Sequence, residues 1–221
     1  KFFKNKYPER NIEKDSFGRL IIPAEMFFID VQVESNLFLR KLVFQKPVLF
    51  WGEPTSVGID SCVFNGYSIR VEKCFYKCLN NGSEYVNNDK KFYFTSNEAY
   101  GEHSMGNSVV INNASQAIFL MNQFFQDSIP VNENYEIALN DINYTSFFGN
   151  KFEVGDMTLS LGDNENFFFT KNKIHQAILF ESNFRKKLFG SSNLTNVQFD
   201  GNTFHGPVIF RKLNFNQSAR C

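Results

Sequence analysis

Large apolar side chains recur at every fifth residue from Phe169 to Ile209: Phe169, Ile174, Leu179, Phe184, Phe189, Leu194, Phe199, Phe204 and Ile209. Few backbones tolerate that spacing. A helix sets its buried positions three and four residues apart, and a half-buried strand sets them two apart. A sustained step of five needs one short extended segment and one corner in every five residues. The flanking positions agree. Small or compact residues stand two before most centres (Ala177, Ser182, Ser192, Val197, Asn202, Pro207), and Asn183, Asn193, Gln198 and Thr203 stand just before four of them. Turn-prone pairs such as Gly190-Ser191, Asp200-Gly201 and His205-Gly206 follow. One such side cannot bury its own apolar residue. Coils stacked about 4.8 Å apart let main-chain groups pair between coils and align the centres in a dry column. Each buried large side chain then contributes roughly 1.5–3 kcal/mol, and a good ring pair adds about 0.5–1.5 kcal/mol.

The units Ser-Asn-Phe, Ser-Asn-Leu, Val-Gln-Phe and Asn-Thr-Phe resemble the Phe-centred variety of the pentapeptide-repeat family, closely from about Gln176 to Lys212. The resemblance implies an all-β chain wound as a right-handed parallel β-helix, a four-sided solenoid with about twenty residues per coil. On such a coil Phe169, Phe189 and Ile209 share one column. Phe184 lies under Phe204, Leu179 under Phe199 and Ile174 under Leu194.

The same phase runs through Leu39, Phe44, Leu49, Ile59, Phe64, Ile69, Cys74 and Leu79, broken only at Pro54. It returns with Phe119, Phe124, Ile129, Leu139, Tyr144, Val154 and Leu159. Residues 1–35 lack it and read as an N-terminal cap, a linker or a first irregular coil; residues 36–221 read as the β-helix. Between about 80 and 113 the inward register meets Glu84, Asp89 and Ser104. A polar excursion is expected there, carrying Tyr93, Phe94, Tyr100 and His103 as a contact surface. A short helix around Ala117–Phe125 is an option, and Gly162–Asn166 reads as a tight turn.

The chain of 221 residues holds 28 Phe and one Trp, the bias that stacked ring columns would produce. Its 23 basic and 23 acidic residues cancel, which argues against direct binding to nucleic acid. No apolar run is long enough to span a membrane and no leader pattern is present. Cys62, Cys74, Cys78 and Cys221 lack the second pair a zinc site needs, and read as reduced, mostly buried thiols. A cytoplasmic location follows as an expectation. The sequons at Asn81, Asn113, Asn143, Asn193 and Asn216 do not change it, because Asn is abundant throughout. The start at Lys1 and the stop at Cys221, inside repeat-like sequence, read as a piece cut from a longer protein.

No phosphate-binding glycine loop, metalloprotease helix or nucleophile elbow is present. His175 and His205 each follow an inward centre and, at one and a half coils apart, are expected on opposite faces. Glu181 and Asp200 are expected outward on one face with no base beside them. No catalytic residue, metal ligand or cofactor is assigned. The expected function is a non-catalytic binding or scaffold module that offers a rigid solenoid face to a protein partner. Lys171, Arg185, Lys186, Lys187, Arg211 and Lys212 fall on two adjacent sides and read as a basic strip for an acidic partner. Two alternatives stand beside it. The resemblance includes proteins that shield a type II topoisomerase by imitating DNA, although this chain lacks their negative charge. Some β-helices are carbohydrate-active enzymes, which need clustered carboxylates. Too few residues follow the last repeat to cap it, so the C-terminal end is expected to be covered, by an end-to-end homodimer or by further sequence.

Overall fold

In a computed structural model the chain is all-β. The structure describes residues 13–29, 37–46, 48–51, 56–65, 69–72, 78–80, 83–85, 91–101, 108–112, 114–126, 135–140, 142–182 and 190–216. Among them there is no helix, and so none long and apolar enough to cross a membrane. Three parallel sheets carry the coil. Sheet A stacks Leu20–Ile22, Leu42–Phe44, Val63–Asn65, Glu98–Gly101, Gln123–Gln126, Lys151–Glu153, Lys173–Ile174 and Thr203–Phe204. Sheet B stacks Met26–Ile29, Val48–Trp51, Ile69–Glu72, Ser108–Asn112, Tyr135–Asn140, Met157–Leu161, Ile178–Ser182 and Val208–Arg211. Sheet C stacks Leu37–Arg40, Ser56–Asp60, Lys91–Thr95, Gln116–Leu120, Tyr144–Phe148, Asn166–Thr170 and Val197–Asp200. Each turn of the chain visits A, B and C in that order.

The parallel β-helix expected from the sequence is therefore what the chain forms. Three sheets run the length of the coil, a parallel pair of Ser192–Thr195 with Leu213–Asn216 between B and C gives a fourth side at the C-terminal end, and the coils are unequal. Along sheet A, Leu20 pairs with Leu42, and Val43 with Val63; beyond that, Glu98, Gln123, Lys151, Lys173 and Thr203 follow one another in register. Coils close to twenty residues occur near the start, where Leu39 pairs with Ile59 and the Phe44 and Phe64 rings stack at 4.9 Å, and again where Lys151 pairs with Lys173 and Met157 with Ile178. In the last coil Phe169 pairs with Phe199, Ile174 with Phe204 and Leu179 with Ile209, thirty residues apart, so the columns expected on a twenty-residue coil are replaced. Leu179 and Ile209 also face outward. Ile178 and Phe180 take the inward positions of that strand, and Ile209 is 46% exposed. Strands of four and five residues bury alternate positions, and that period of two overrides the step of five.

Two stretches expected to leave the coil lie in it. Lys91–Thr95 buries Phe92 and Phe94, and Ala99 follows inward on sheet A. The departure before them lies between Glu72 and Lys91 and contains an antiparallel hairpin, Cys78–Asn80 against Ser83–Tyr85. Ala117–Phe125 is two strands and not a helix, with Ala117, Phe119 and Phe124 inward. Residues 162–166, expected as a tight turn, are an extended connector between sheets B and C in which Asn164 bridges Leu194 in parallel and Asn166 begins the next strand. Pro54, Cys74, Phe184 and Phe189 lie outside the described residues.

Rings fill the interior. Along sheet C, Phe94, Phe119, Phe147 and Phe169 are fully buried in successive coils. Phe119 and Phe147 stack at 4.4 Å, and on sheet A Phe124 and Phe152 stack at 4.7 Å. Where sheet A supplies the smaller Ala99 or Ile174, the ring from sheet C reaches across. Phe94 contacts both Phe64 and Phe124, and Phe169 contacts both Phe152 and Phe204.

The corner from C to A is the tightest. One residue with positive φ makes the turn in each coil: Lys41, Ser61, Ser96, Met121, Gly149, Lys171 and Gly201, at 53–65°. The next residue points inward, and from Asn97 onward it is always asparagine. In Asn122, Asn150 and Asn172, Nδ2 donates back to the main-chain carbonyls of Phe94, Phe119 and Phe147. It also donates forward to the Oδ1 of the next asparagine, at 2.9–3.1 Å. Each Oδ1 in turn accepts the main-chain N–H and the side-chain amide of the asparagine before it. All four hydrogen-bonding positions of these buried amides are thus used. The ladder runs from Asn97 to Asn202. Cys62 occupies the same place one coil earlier, its N–H donating to Asn97 Oδ1 at 2.9 Å.

Candidate functional site

Two outward faces differ in chemistry. Sheet A shows two rows. In the first, Glu98, Gln123, Lys151, Lys173 and Thr203 follow one another in register. In the second, Tyr100, Phe125 and Glu153 are in register, and continuing the pairing of Ile174 with Phe204 sets His175 beside His205. At the upper end Arg19, held by Asp15 at 2.6 Å, reaches Glu98 at 3.3 Å, and Tyr100 Oη donates to Glu98 at 3.0 Å. The Tyr100 and Phe125 rings stack at 4.9 Å.

Below them the row becomes a carboxylate followed by two imidazoles. Glu153 accepts from Lys151 Nζ at 2.7 Å, and the same oxygen lies 3.5 Å from His175 Nε2. The hydrogen bond from Lys151, with the added charges of Lys151, His175 and Lys173, holds the Glu153 carboxyl below its ordinary range against a small opposing effect of burial. The His175 Nε2 atom is buried and has no hydrogen-bond partner. The His205 ring packs on His175 with centroids 5.2 Å apart. The two histidines are thus neighbours on one face, where the sequence reading set them on opposite faces. Its twenty-residue coil is thirty residues long here.

Sheet C places large apolar side chains outward as well as inward, among polar neighbours such as Thr95, Ser146 and Thr170. Phe38, Gly58, Tyr93, Ile118, Ser146, Phe168 and Gln198 form one outward row. Leu120 and Phe148 stand in the next, with Met121 at the corner. Phe38 is 62% exposed and Met121 56%. The Phe38 ring lies over Gly58, where a Cβ would collide with it. Tyr144 and Phe168 contact at 5.4 Å, and Lys171 Nζ sits 5.3 Å from the Phe148 ring centre.

The residues singled out from sequence are dispersed. Lys171 lies at the C-to-A corner, whereas Arg211 ends the last strand of sheet B and Lys212 follows it. Arg211 approaches Glu181 at 3.8 Å. Glu181 is buried on sheet B and Asp200 is exposed on sheet C, so these acids do not share a face. Arg185, Lys186 and Lys187 lie outside the described residues, as does His103. Of the expected excursion residues, Phe94 is a core ring, Tyr93 faces outward on sheet C and Tyr100 outward on sheet A. Among the described residues no group of three or more His, Cys, Asp or Glu is placed to hold a metal ion. Comparisons with protein-family models, with curated proteins and with solved structures found no match.

Proposed function

We propose that this chain is a non-catalytic binding module that holds an extended protein partner along the outer face of sheet C. One observation carries the reading: outward positions that a solenoid normally fills with polar residues are here Phe38, Tyr93, Ile118, Leu120, Phe148 and Phe168, with Phe38 and Leu120 exposed and the other four half-buried. Clustered outward apolar surface of this kind marks interaction sites. The rigid coil supports it, because rings packed beneath the same sheet fix the strand positions. The acids that a DNA-like surface would need are matched instead, Asp60 by Arg40 at 2.8 Å and Glu153 by Lys151. A photocrosslinking residue at Ile118 tests the reading in the native host. The expected result is one protein adduct, lost in the double variant Tyr93→Ser/Phe168→Ser. An adduct of equal yield in that variant, or from a crosslinker at Gln123 on sheet A, would contradict it.

A further inference from the structure

We infer that Lys173, His175, Thr203 and His205, on the last two strands of sheet A, form a binding site for a sulfate or phosphate group. The site lies on a different face from the proposed protein contact and stands independently of it. Lys173 pairs with Thr203 and Ile174 with Phe204, so two adjacent coils present a two-by-two block of outward side chains. Each of the four can donate a hydrogen bond, His175 through Nδ1 because its Nε2 is buried towards Glu153; two are imidazoles, and none is an acid. The block is held square by main-chain bonds, including Thr203 N to Asn172 O at 2.8 Å and His205 N to Ile174 O at 2.9 Å. Beneath it the asparagine ladder fixes both coils through Asn172 and Asn202, 3.1 Å apart.

The imidazoles lie 5.2 Å apart and tilted by 39°, with Glu153 beside His175 on the preceding coil and His205 on the following one. Two neighbouring imidazoles that are both protonated repel one another, and a tetrahedral oxyanion offers several acceptor oxygens to such a group. The neighbouring charges leave the block free for it. Glu153 faces His175 from the preceding coil but is already bound by Lys151 at 2.7 Å, and Asp156 stands exposed in the connector that follows. Gln176 and Gly206, which follow the two histidines, bring no charge. Glu153 keeps its charge across mildly acid conditions, because Lys151 holds its carboxyl low. A change in anion affinity between about pH 5.5 and 8 would therefore report the histidines, the side chain whose charge ordinarily changes in that range.

The test is titration of the intact chain with sodium sulfate at constant ionic strength, followed by calorimetry and by the histidine ring resonances. Sulfate keeps its own charge across the range. The expected result is binding near pH 5.5 that weakens at least about tenfold near pH 8. His175→Gln/His205→Gln should reduce the pH 5.5 affinity to the pH 8 level with an unchanged melting temperature, and Lys173→Gln should weaken it several-fold. Affinity that does not change with pH, or that survives the double histidine variant, would overturn the site. Methyl sulfate distinguishes the source of the group: comparable binding assigns an ester carried on a larger molecule, and binding of sulfate alone assigns a free anion. Either outcome supports the site.

Discussion

At the scale of the residue, the ladder asparagines bear the most hydrogen bonds per side chain. Asn150 is 1% exposed, and its amide joins Asn122, Asn172 and the Phe119 carbonyl. Asn150→Ala takes the acceptor from the Asn122 main-chain N–H, one of two acceptors from the Asn122 side-chain amide and a donor from that carbonyl, all in a dry interior. The expected loss is about 3 kcal/mol, read from urea unfolding. Cys62 is the place where the ladder stops short. Its thiol lies 3.6 Å from the Leu39 carbonyl, the bond that an asparagine amide makes in every later coil. Cys62→Asn is expected to add about 1 kcal/mol by extending the ladder. A drop in the unfolding midpoint would show that the corner there is too narrow. In the unaltered chain, burial pushes the Cys62 thiol up to about 11. Native protein should therefore alkylate slowly at this residue near pH 8. Its contribution to stability, complete below the ordinary thiol range, should fall away as pH rises towards 11, because the unfolded chain releases the proton first. Gly206 is set by contact and not by φ. A Cβ there would lie 2.5 Å from the carbonyl carbon of Gln176 in the coil above. Gly206→Ala should cost about 1–3 kcal/mol, measured by thermal unfolding, and a neutral result would mean that this corner gives way freely.

At the scale of the strand, inward and outward rings have different worth. Phe147→Ala opens a cavity between Phe119 and Phe169 and should cost about 3–5 kcal/mol. Phe168→Ser, one residue earlier in the register of the next coil and facing out with its ring half-buried against Tyr144, should cost about 1 kcal/mol. Equal shifts in the unfolding midpoint would reverse the assigned faces of sheet C. The strands also show where the sequence could be read. Phe44, Phe64, Phe119 and Phe124 sit inward on the step of five, as do Phe94 and Ala99, whose signal was hidden by Glu84, Asp89 and Ser104 around them. Leu179 and Ile209 fell on the step yet point out, because a strand long enough to bury two side chains follows its own period of two. The ladder was visible as Asn-x-apolar at Asn97, Asn122, Asn150, Asn172 and Asn202. It escaped a search for a fixed period because the connectors from A to B and from B to C vary in length. The histidine pair was missed for the same reason.

At the scale of the molecule, the chain is one stack of coils whose length is set at the loose corners and whose register is set at the tight one. The apolar ring columns alone would tolerate slippage, since Phe and Ile exchange freely along them. The asparagine corner does not, because a shift of one residue would remove every buried amide from its partners at once. Among the described residues, Thr203–Phe204 and Val208–Arg211 are the last strands of sheets A and B, and Ile209, Phe210 and Phe215 are each more than 40% exposed. The continuous ladder is the feature on which the whole register depends. Its most direct test is the side-chain amide spectrum of the chain transferred to deuterated water. The amide protons of Asn122, Asn150 and Asn172 are expected to persist long after those of exposed Asn193 and Asn214 have exchanged, with through-space contacts from Asn122 to Asn150 and from Asn150 to Asn172. Exchange at the rate of the exposed amides, with those contacts absent, would contradict the stacked three-sheet register.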